Sequence, residues 1–318
     1  MKISNNRLKD GIANLEVFSA TLQDLASKDR SIVVVTSDSR GSAKLNPFVE
    51  KYPEQIVEVG IAEQNLVGIA AGLASAGKKV FAVSPACFLT ARSLEQIKND
   101  VAYSDNPVNI IGISGGVSYG PLGSTHHSLH DFAVLRAINN ITVVAPADNF
   151  ETEMAIKQAA EMDSPVYIRF GKKPIPFLSD NGDFQLGKAR MIKEGKDVAI
   201  IATGETVYPA LEAALLLEEE QGVQVGVISM HTIKPLDYSI LSEVAKNYPI
   251  ILTVEEHSVF GGLGEACASY FMENGFTNKF KIMGIPDEYT VTGSQSEILD
   301  YYGISEKGIA ETIMKLFA

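Results

Sequence analysis

The stretch EVGIAEQNLVGIAAGLASAG, residues 58–77, closes one apolar run and opens a helix made of small residues. Glu63 stands at the junction. A carboxylate beside Ile61, Ala62, Leu66 and Val67 is expensive to bury unless it is paired, protonated or used. Two readings follow. A Glu in the first turn of a helix is favoured by the macrodipole and can cap backbone N–H groups. Apolar surroundings also favour the neutral form of a carboxyl, which can donate a short hydrogen bond to a ring nitrogen.

Working outward, short β-branched runs recur and each is followed by a helix-like stretch. They are SIVVVTSD (31–38), KKVFAVSP (78–85), VNIIGISGG (108–116), ITVVAPAD (141–148) and SPVYIRF (164–170). Runs apolar on both faces predict strands of a buried parallel sheet. NFETEMAIKQAAEM has helical spacing, with Asp148 or Asn149 as its cap. From Gly171 the texture changes, and GKKPIPFLSDNGDFQLG reads as a linker. A second series follows in DVAIIATGE (197–205), VQVGVISMHTIKP (223–235) and IILTVEEHSVF (250–260). The expected fold class is α/β, with two consecutive open α/β domains and mostly parallel sheets. The boundaries are residues 1–175, a linker at 176–192, and residues 193–318. The two halves are read as independent sheets, with ligands at the carboxyl ends of the strands.

The bulk properties narrow the function. The 318 residues are 46% apolar and 21% charged, with a net charge of -12. That balance disfavours nucleic acid and anionic membranes as general partners, while leaving room for a local basic pocket. Cys87 and Cys267 are the only cysteines and lack metal-type spacing, which argues for a reducing compartment. The N-terminal MKISNNRLKD has no apolar signal core, and no run reaches membrane-spanning length. A cytoplasmic location is expected.

Three further stretches bear chemistry. GISGGVSYGPLGSTHHSLHD (112–131) carries five glycines, which allow backbone to approach a ligand closely, and three of the five histidines. His126, His127 and His130 mimic a metal cluster in spacing, but no Cys joins them and neighbours on one turn diverge. Hydrogen bonding or proton relay beside an anionic or polar ligand is favoured over zinc. For His127 and His130 a solvated helix start capped by Ser124 or Thr125 is the alternative. In SPACFLTARSLEQIKNDVAY (84–103), Phe88 follows a strand, and Arg92 and Gln96 are four apart on one helix face. Phe88 and Leu89 equally suit a core. Arg169, at the end of a buried run, suits anion binding or a structural ion pair. VFGGLGEACASY (259–270) lacks the full dinucleotide spacing and reads as a tight turn that lets a helix pack.

Taken in order, IAEQN (61–65), FLTARSLEQIKN (88–99), GGVSYGPLGSTHHSLHD (115–131), VVAPAD (143–148) and YIR (167–169) resemble the pyrimidine-binding domain of transketolase-like thiamine diphosphate enzymes. TVEEHSVFGGLGEA (253–266) looks like that family's C-terminal signature. The resemblance implies that Glu63 hydrogen-bonds the aminopyrimidine N1′ and favours the tautomer that deprotonates the thiazolium. It implies that Phe88 lies against that ring, with Gln96 also on the cofactor side. His126 is the implied substrate or proton-relay group. Arg169 is the implied phosphate contact, with His127, Ser42 and Arg40 as further substrate residues.

No GDG motif occurs in the chain. In full-length relatives that motif holds Mg²⁺ and the diphosphate. The resemblance is therefore to a split transketolase C-terminal subunit. It implies a separate N-terminal partner carrying the GDG…N motif, a homodimer within an α2β2 heterotetramer, and sugar phosphate substrates. The sugar end departs from the family pattern. Leu15 stands near the usual domain-start Arg, Ser114 replaces a His, Leu122 replaces an acid, and Ala86 replaces an aromatic. Loss of the acid predicts a branched ketose phosphate, such as apulose 4-phosphate. A β subunit of a 2-oxo acid dehydrogenase and a non-catalytic stabilising subunit are the competing readings.

Overall fold

The computed structural model describes residues 8–178 and 182–317. In chain order the first half supplies β1 (Ile32–Thr36), β2 (Ile56–Glu58), β3 (Lys79–Pro85), β4 (Val108–Ile113), β5 (Thr142–Val144) and β6 (Val166–Arg169). The second supplies β7 (Arg190–Lys193), β8 (Val198–Ala202), β9 (Val225–Ser229), β10 (Thr232–Lys234), β11 (Ile250–Ser258) and β12 (Lys279–Ile285). Two sheets result, ordered β10-β5-β6-β4-β3-β1-β2 and β12-β11-β8-β9-β7. Within each, every pairing is parallel except that of its antiparallel edge strand, β10 in the first and β7 in the second. Each long run singled out in the sequence contains a strand. Every residue of β1, β4 and β8 is buried, as expected of strands covered by helices on both faces.

Helices cover both faces of each sheet. On the first, Phe18 and Leu22 of helix Asn14–Lys28 pack with Ile156 of helix Asn149–Ala159. Leu66, Val67 and Ala70 of helix Glu63–Ser75 pack on the opposite face. Asp148 does cap its helix, accepting from the Glu151 N–H at 2.9 Å. The GGLG turn opens helix Leu263–Glu273, where a side chain at Gly264 would strike Ile282 at 2.4 Å.

Two expectations are corrected. The halves do not form independent sheets. The run 223–235 splits after β9, and β10 crosses to pair antiparallel with β5. There it covers what would otherwise be an open parallel edge. The interval read as linker also ends in structure, because Arg190–Lys193 is β7.

Buried charges lie between the halves. Arg169 is only 6% exposed. Its Nη1 donates to Asp131 Oδ1 at 3.0 Å and its Nη2 to the Glu256 carbonyl at 3.0 Å. Its guanidinium lies 3.9 Å from the centre of the Phe132 ring. Asp131 also accepts from the Tyr167 hydroxyl at 2.6 Å. Of the two roles considered for Arg169, the structure assigns the ion pair. Its guanidinium is committed to the scaffold, which corrects the expectation of a phosphate contact. A second buried pair, Glu151–Arg190 at 3.0 Å, joins helix Asn149–Ala159 to β7. Glu205, on the turn after β8, accepts from the Gly171 N–H at 3.0 Å and from the Asn14 amide at 3.2 Å. Burial, reinforced by the nearby Glu256 charge, pushes its carboxyl up to about 7.

Breaking the first pair leaves a charge buried and alone. Arg169→Met should therefore lower unfolding free energy by about 3–5 kcal/mol, whereas the double variant Arg169→Met/Asp131→Leu should recover part of that loss. Urea unfolding of the wild type and both variants checks this, and an equal loss in the two variants would refute it. Glu205 carries a pH signature. An acid whose folded value lies above its unfolded value of 4.5 supports the fold while protonated, and that support is lost as pH rises towards about 7. Glu205→Gln keeps an acceptor for Gly171 and removes the charge. Because burial also raises Glu151, Glu255 and Glu256, the variant should remove only Glu205's own share of the fall in stability across that window. Each such carboxyl contributes on the order of 3 kcal/mol. Urea midpoints taken across the window test the slope.

Candidate active site

The carboxyl ends of β1, β3, β4 and β6 open on one side of the first sheet. Glu58, at the end of β2, organises the loop before Glu63 by accepting from the Asp38 N–H at 2.7 Å and the Gly60 N–H at 3.0 Å. Gly60 has φ +72°, a left-handed conformation that suits glycine. The loop delivers Glu63 as the first residue of helix Glu63–Ser75, with 4% of its surface exposed. No side chain caps this helix start. The carboxylate is oriented by Arg92, whose Nη1 donates to its Oε1 at 2.7 Å.

From Glu63 a continuous row of side chains crosses the sheet. The Arg92 guanidinium sits 4.3 Å from the centre of the Phe88 ring. Phe88 meets the edge of His126 with centroids 5.2 Å apart, and His126 meets Tyr119 at 5.5 Å, both at steep interplanar angles. The Lys172 ammonium lies 4.3 Å from the Tyr119 ring centre. Burial, with the positive charge of Lys44 adding to it, lowers the Lys172 ammonium below its ordinary value. Burial also raises the Tyr119 phenol. The row thus runs from a buried carboxylate, through aromatic faces, to Lys172, while Lys44, whose charge reaches Lys172, is paired with Glu16 at 3.9 Å. Such an arrangement can hold a flat heteroaromatic ring at one end and an anionic group at the other.

The structure separates the three histidines. His126 is half-buried in the row, with Nδ1 2.9 Å from the Thr125 hydroxyl. His127 is buried and both ring nitrogens are engaged. Nε2 lies 3.0 Å from the Gly120 carbonyl and Nδ1 lies 2.7 Å from Thr290 Oγ1. Only a donor satisfies a carbonyl, so Nε2 carries the proton and Nδ1 accepts from Thr290. Burial lowers the His127 pKa, consistent with a neutral ring. That commitment ties the glycine-rich loop to the second half and corrects the expectation of a substrate contact at His127. His130 faces Thr90 Oγ1 at 3.3 Å. Among the described residues no group of three or more His, Cys, Asp or Glu side chains is placed to hold a metal ion.

Other expected residues fall at varying distance from this row. Gln96 belongs to helix Leu94–Gln96, which packs near helix Glu63–Ser75, and its Oε1 is buried without a hydrogen-bond partner. Arg40 pairs with Glu58 at 3.0 Å instead of pointing free. Ser42 is exposed in the loop after β1. Leu15 is core at 1% exposure, Ala86 is buried, Ser114 is buried with φ 56°, and Leu122 is 54% exposed. Two glycines of the loop serve packing. A side chain at Gly115 would strike Arg169 at 2.3 Å, and one at Gly116 would strike Glu256 at 2.4 Å. The expectation that these glycines admit a ligand is corrected, because they admit the protein's own buried charges. Sequence reading missed Tyr119, Lys172 and Lys44. The signal was the Lys172–Lys173 pair shortly after β6 and a tyrosine inside the glycine-rich loop, with nothing local marking Lys44; which of them meet is a matter of tertiary contact.

Comparison with known proteins places both halves of the chain in one family. Residues 10–176 match the family model for the transketolase pyrimidine binding domain, and residues 187–309 match that for the transketolase C-terminal domain. The chain is 48% identical over 306 residues to an apulose-4-phosphate transketolase subunit of Phocaeicola vulgatus, covering 96% of this chain and 97% of that one. It is 38% identical over 287 residues to the like-named subunit of Actinobacillus succinogenes, covering 90% and 92%. A solved split-gene transketolase, described as an inactive β4 tetramer, superposes with TM-score 0.85 at 36% identity, covering 96% of this chain and 98% of that one. With both halves matched, in that order, the chain belongs to the transketolase family and carries its pyrimidine-binding and C-terminal domains.

Proposed function

We propose that this chain is the C-terminal subunit of a thiamine diphosphate-dependent transketolase that moves a two-carbon ketol unit between sugar phosphates. The observation that carries the reading is the buried Glu63 carboxylate beside Phe88, at the head of a row that ends in Lys172. The residues fit the cofactor's pyrimidine end. Phe88 offers a ring face, Glu63 an acid for a ring nitrogen, and Gln96 an unpartnered buried oxygen for an amino group. When bound, thiamine diphosphate supplies an electron sink for the carbon–carbon bond that breaks.

The chain's own residues position and move protons. Glu63 holds a proton at the ring nitrogen and sets the ring's tautomer. His126, wedged between Phe88 and Tyr119, stands between the ring and the sugar end, where it exchanges a proton with a substrate hydroxyl. Lys172, with Lys44 near it, takes the phosphate role that the sequence suggested for Arg169. An exposed cation at the end of the row favours a phosphorylated sugar over the 2-oxo acid of a dehydrogenase subunit. Among the described residues no acidic cluster is placed to hold Mg²⁺, and the similarity to split transketolase subunits supports an N-terminal transketolase subunit as the partner. The half-exposed Arg92 side chain and Ile61, 74% exposed next to Glu63, lie on the face such a partner would cover. Similarity to two apulose-4-phosphate transketolase subunits, together with Leu122 in place of an acid, favours apulose 4-phosphate as donor.

In the complex co-purified with that partner, Glu63→Gln should lower turnover by about 100-fold or more. Unchanged turnover would leave a stabilising, non-catalytic role. Lys172→Met should raise KM for apulose 4-phosphate by about tenfold with little change in kcat, because it removes a contact made equally before and during reaction. Wild-type enzyme that prefers xylulose 5-phosphate over apulose 4-phosphate would overturn the choice of donor.

A further inference from the structure

Arg92 touches both groups that the proposed function assigns to the aminopyrimidine ring. It ends helix Ala86–Arg92, and Phe88 lies four residues earlier on the same helix. That spacing brings its guanidinium over the Phe88 ring, 4.3 Å from the centre. From the same position Nη1 reaches Glu63 Oε1 at 2.7 Å. A planar cation therefore covers the aromatic face and holds the carboxylate at once. A flat ring that stacks on Phe88 and hydrogen-bonds Glu63 needs the same space and the same partner.

The two ends of this contact differ in freedom. The Glu63 side chain is 5% exposed and Arg92's is 48% exposed. Glu63 lies buried in the first turn of its helix, whereas the Arg92 arm has solvent into which it can swing. The contact also sets the character of the acid. Paired with a guanidinium, Glu63 is an anionic acceptor. Facing a ring nitrogen, it must donate, and so must take up a proton from solvent.

We infer that Arg92 is a placeholder for the aminopyrimidine, which holds Glu63 and the Phe88 face until the cofactor enters and must withdraw for the ring to bind. This inference rests on the transketolase reading. Arg92 is a positioning residue in it, acting on the cofactor through Glu63 and Phe88. Cofactor binding then competes with an internal ion pair, and the competition is sensitive to salt because the arginine end is half in water.

The test is titration of thiamine diphosphate with Mg²⁺ into the full chain co-purified with its N-terminal partner, read by isothermal titration calorimetry. Arg92→Gln should bind about fivefold more tightly than wild type at low salt, and the advantage should shrink towards parity at high salt. A merely structural arginine would show neither. Arg92→Lys keeps the charge but loses the planar stacking fork, so it should fall between the two. Should Arg92→Gln fail to assemble, Arg92→Lys carries the test alone, and affinity equal to or weaker than wild type overturns the inference. Equal or weaker binding by an assembled Arg92→Gln complex overturns it too, since Arg92 would then support Glu63 instead of competing for it. If wild type binds no thiamine diphosphate, the transketolase reading itself fails and this inference falls with it.

Discussion

The buried pair between Arg169 and Asp131 is the constraint on which the rest of the site depends. Arg169 arrives on β6 and Asp131 on the helix that follows the histidine loop, and Tyr167 and the Glu256 carbonyl complete the cluster. Burying two charges is justified only when every remaining donor and acceptor is used. Here that requirement draws the first sheet, the glycine-rich loop and the second half to one point. Gly115 and Gly116 lack side chains because Arg169 and Glu256 fill the space beside them. The loop then leaves its anchor in one conformation, with His127 locked against Gly120 and Thr290 and His126 turned towards Phe88.

The row that results is rigid behind and open in front. Its back is made of buried groups whose loss would cost several kcal/mol each. Its front is made of half-exposed contacts, Arg92 on Phe88 and Lys172 on Tyr119, each worth about 1 kcal/mol or less. That gradient suits a half-site. The scaffold keeps Glu63 and His126 in place, while the outward contacts can be exchanged when a ring, a phosphate or a second chain arrives. The exposed Ile61 beside Glu63 belongs to the same open face.

Much of the fold was legible in the residues. The uninterrupted β-branched runs declared strands buried on both faces, and Asp148 declared its helix start. Glu63 was legible as a carboxylate at a helix start in apolar company, and Phe88 and His126, singled out from ordered motifs, meet edge to face in the fold. What misled was local plausibility. VQVGVISMHTIKP reads as one strand, and only the edge of the first sheet decides that its last residues leave for another partner. Arg169 reads equally as an anion site or an ion pair, since its own neighbours in the chain do not include Asp131. Lys172 is an ordinary surface lysine until the chain after β6 and Tyr119 of the glycine-rich loop are brought side by side.

The sequence by itself determined the strand and helix periods, the α/β class, the family's ordered motifs and the acid at the helix start, because each is a property of near neighbours along the chain. The tertiary structure decided which cations are spent on the scaffold and which face the cleft, which histidine is free, and that a strand of the second half completes the first sheet. Those outcomes depend on desolvation. A charge or a strand edge is assigned its role by what covers it, and the groups that cover Arg169, His127 and β5 come from parts of the chain far apart in sequence.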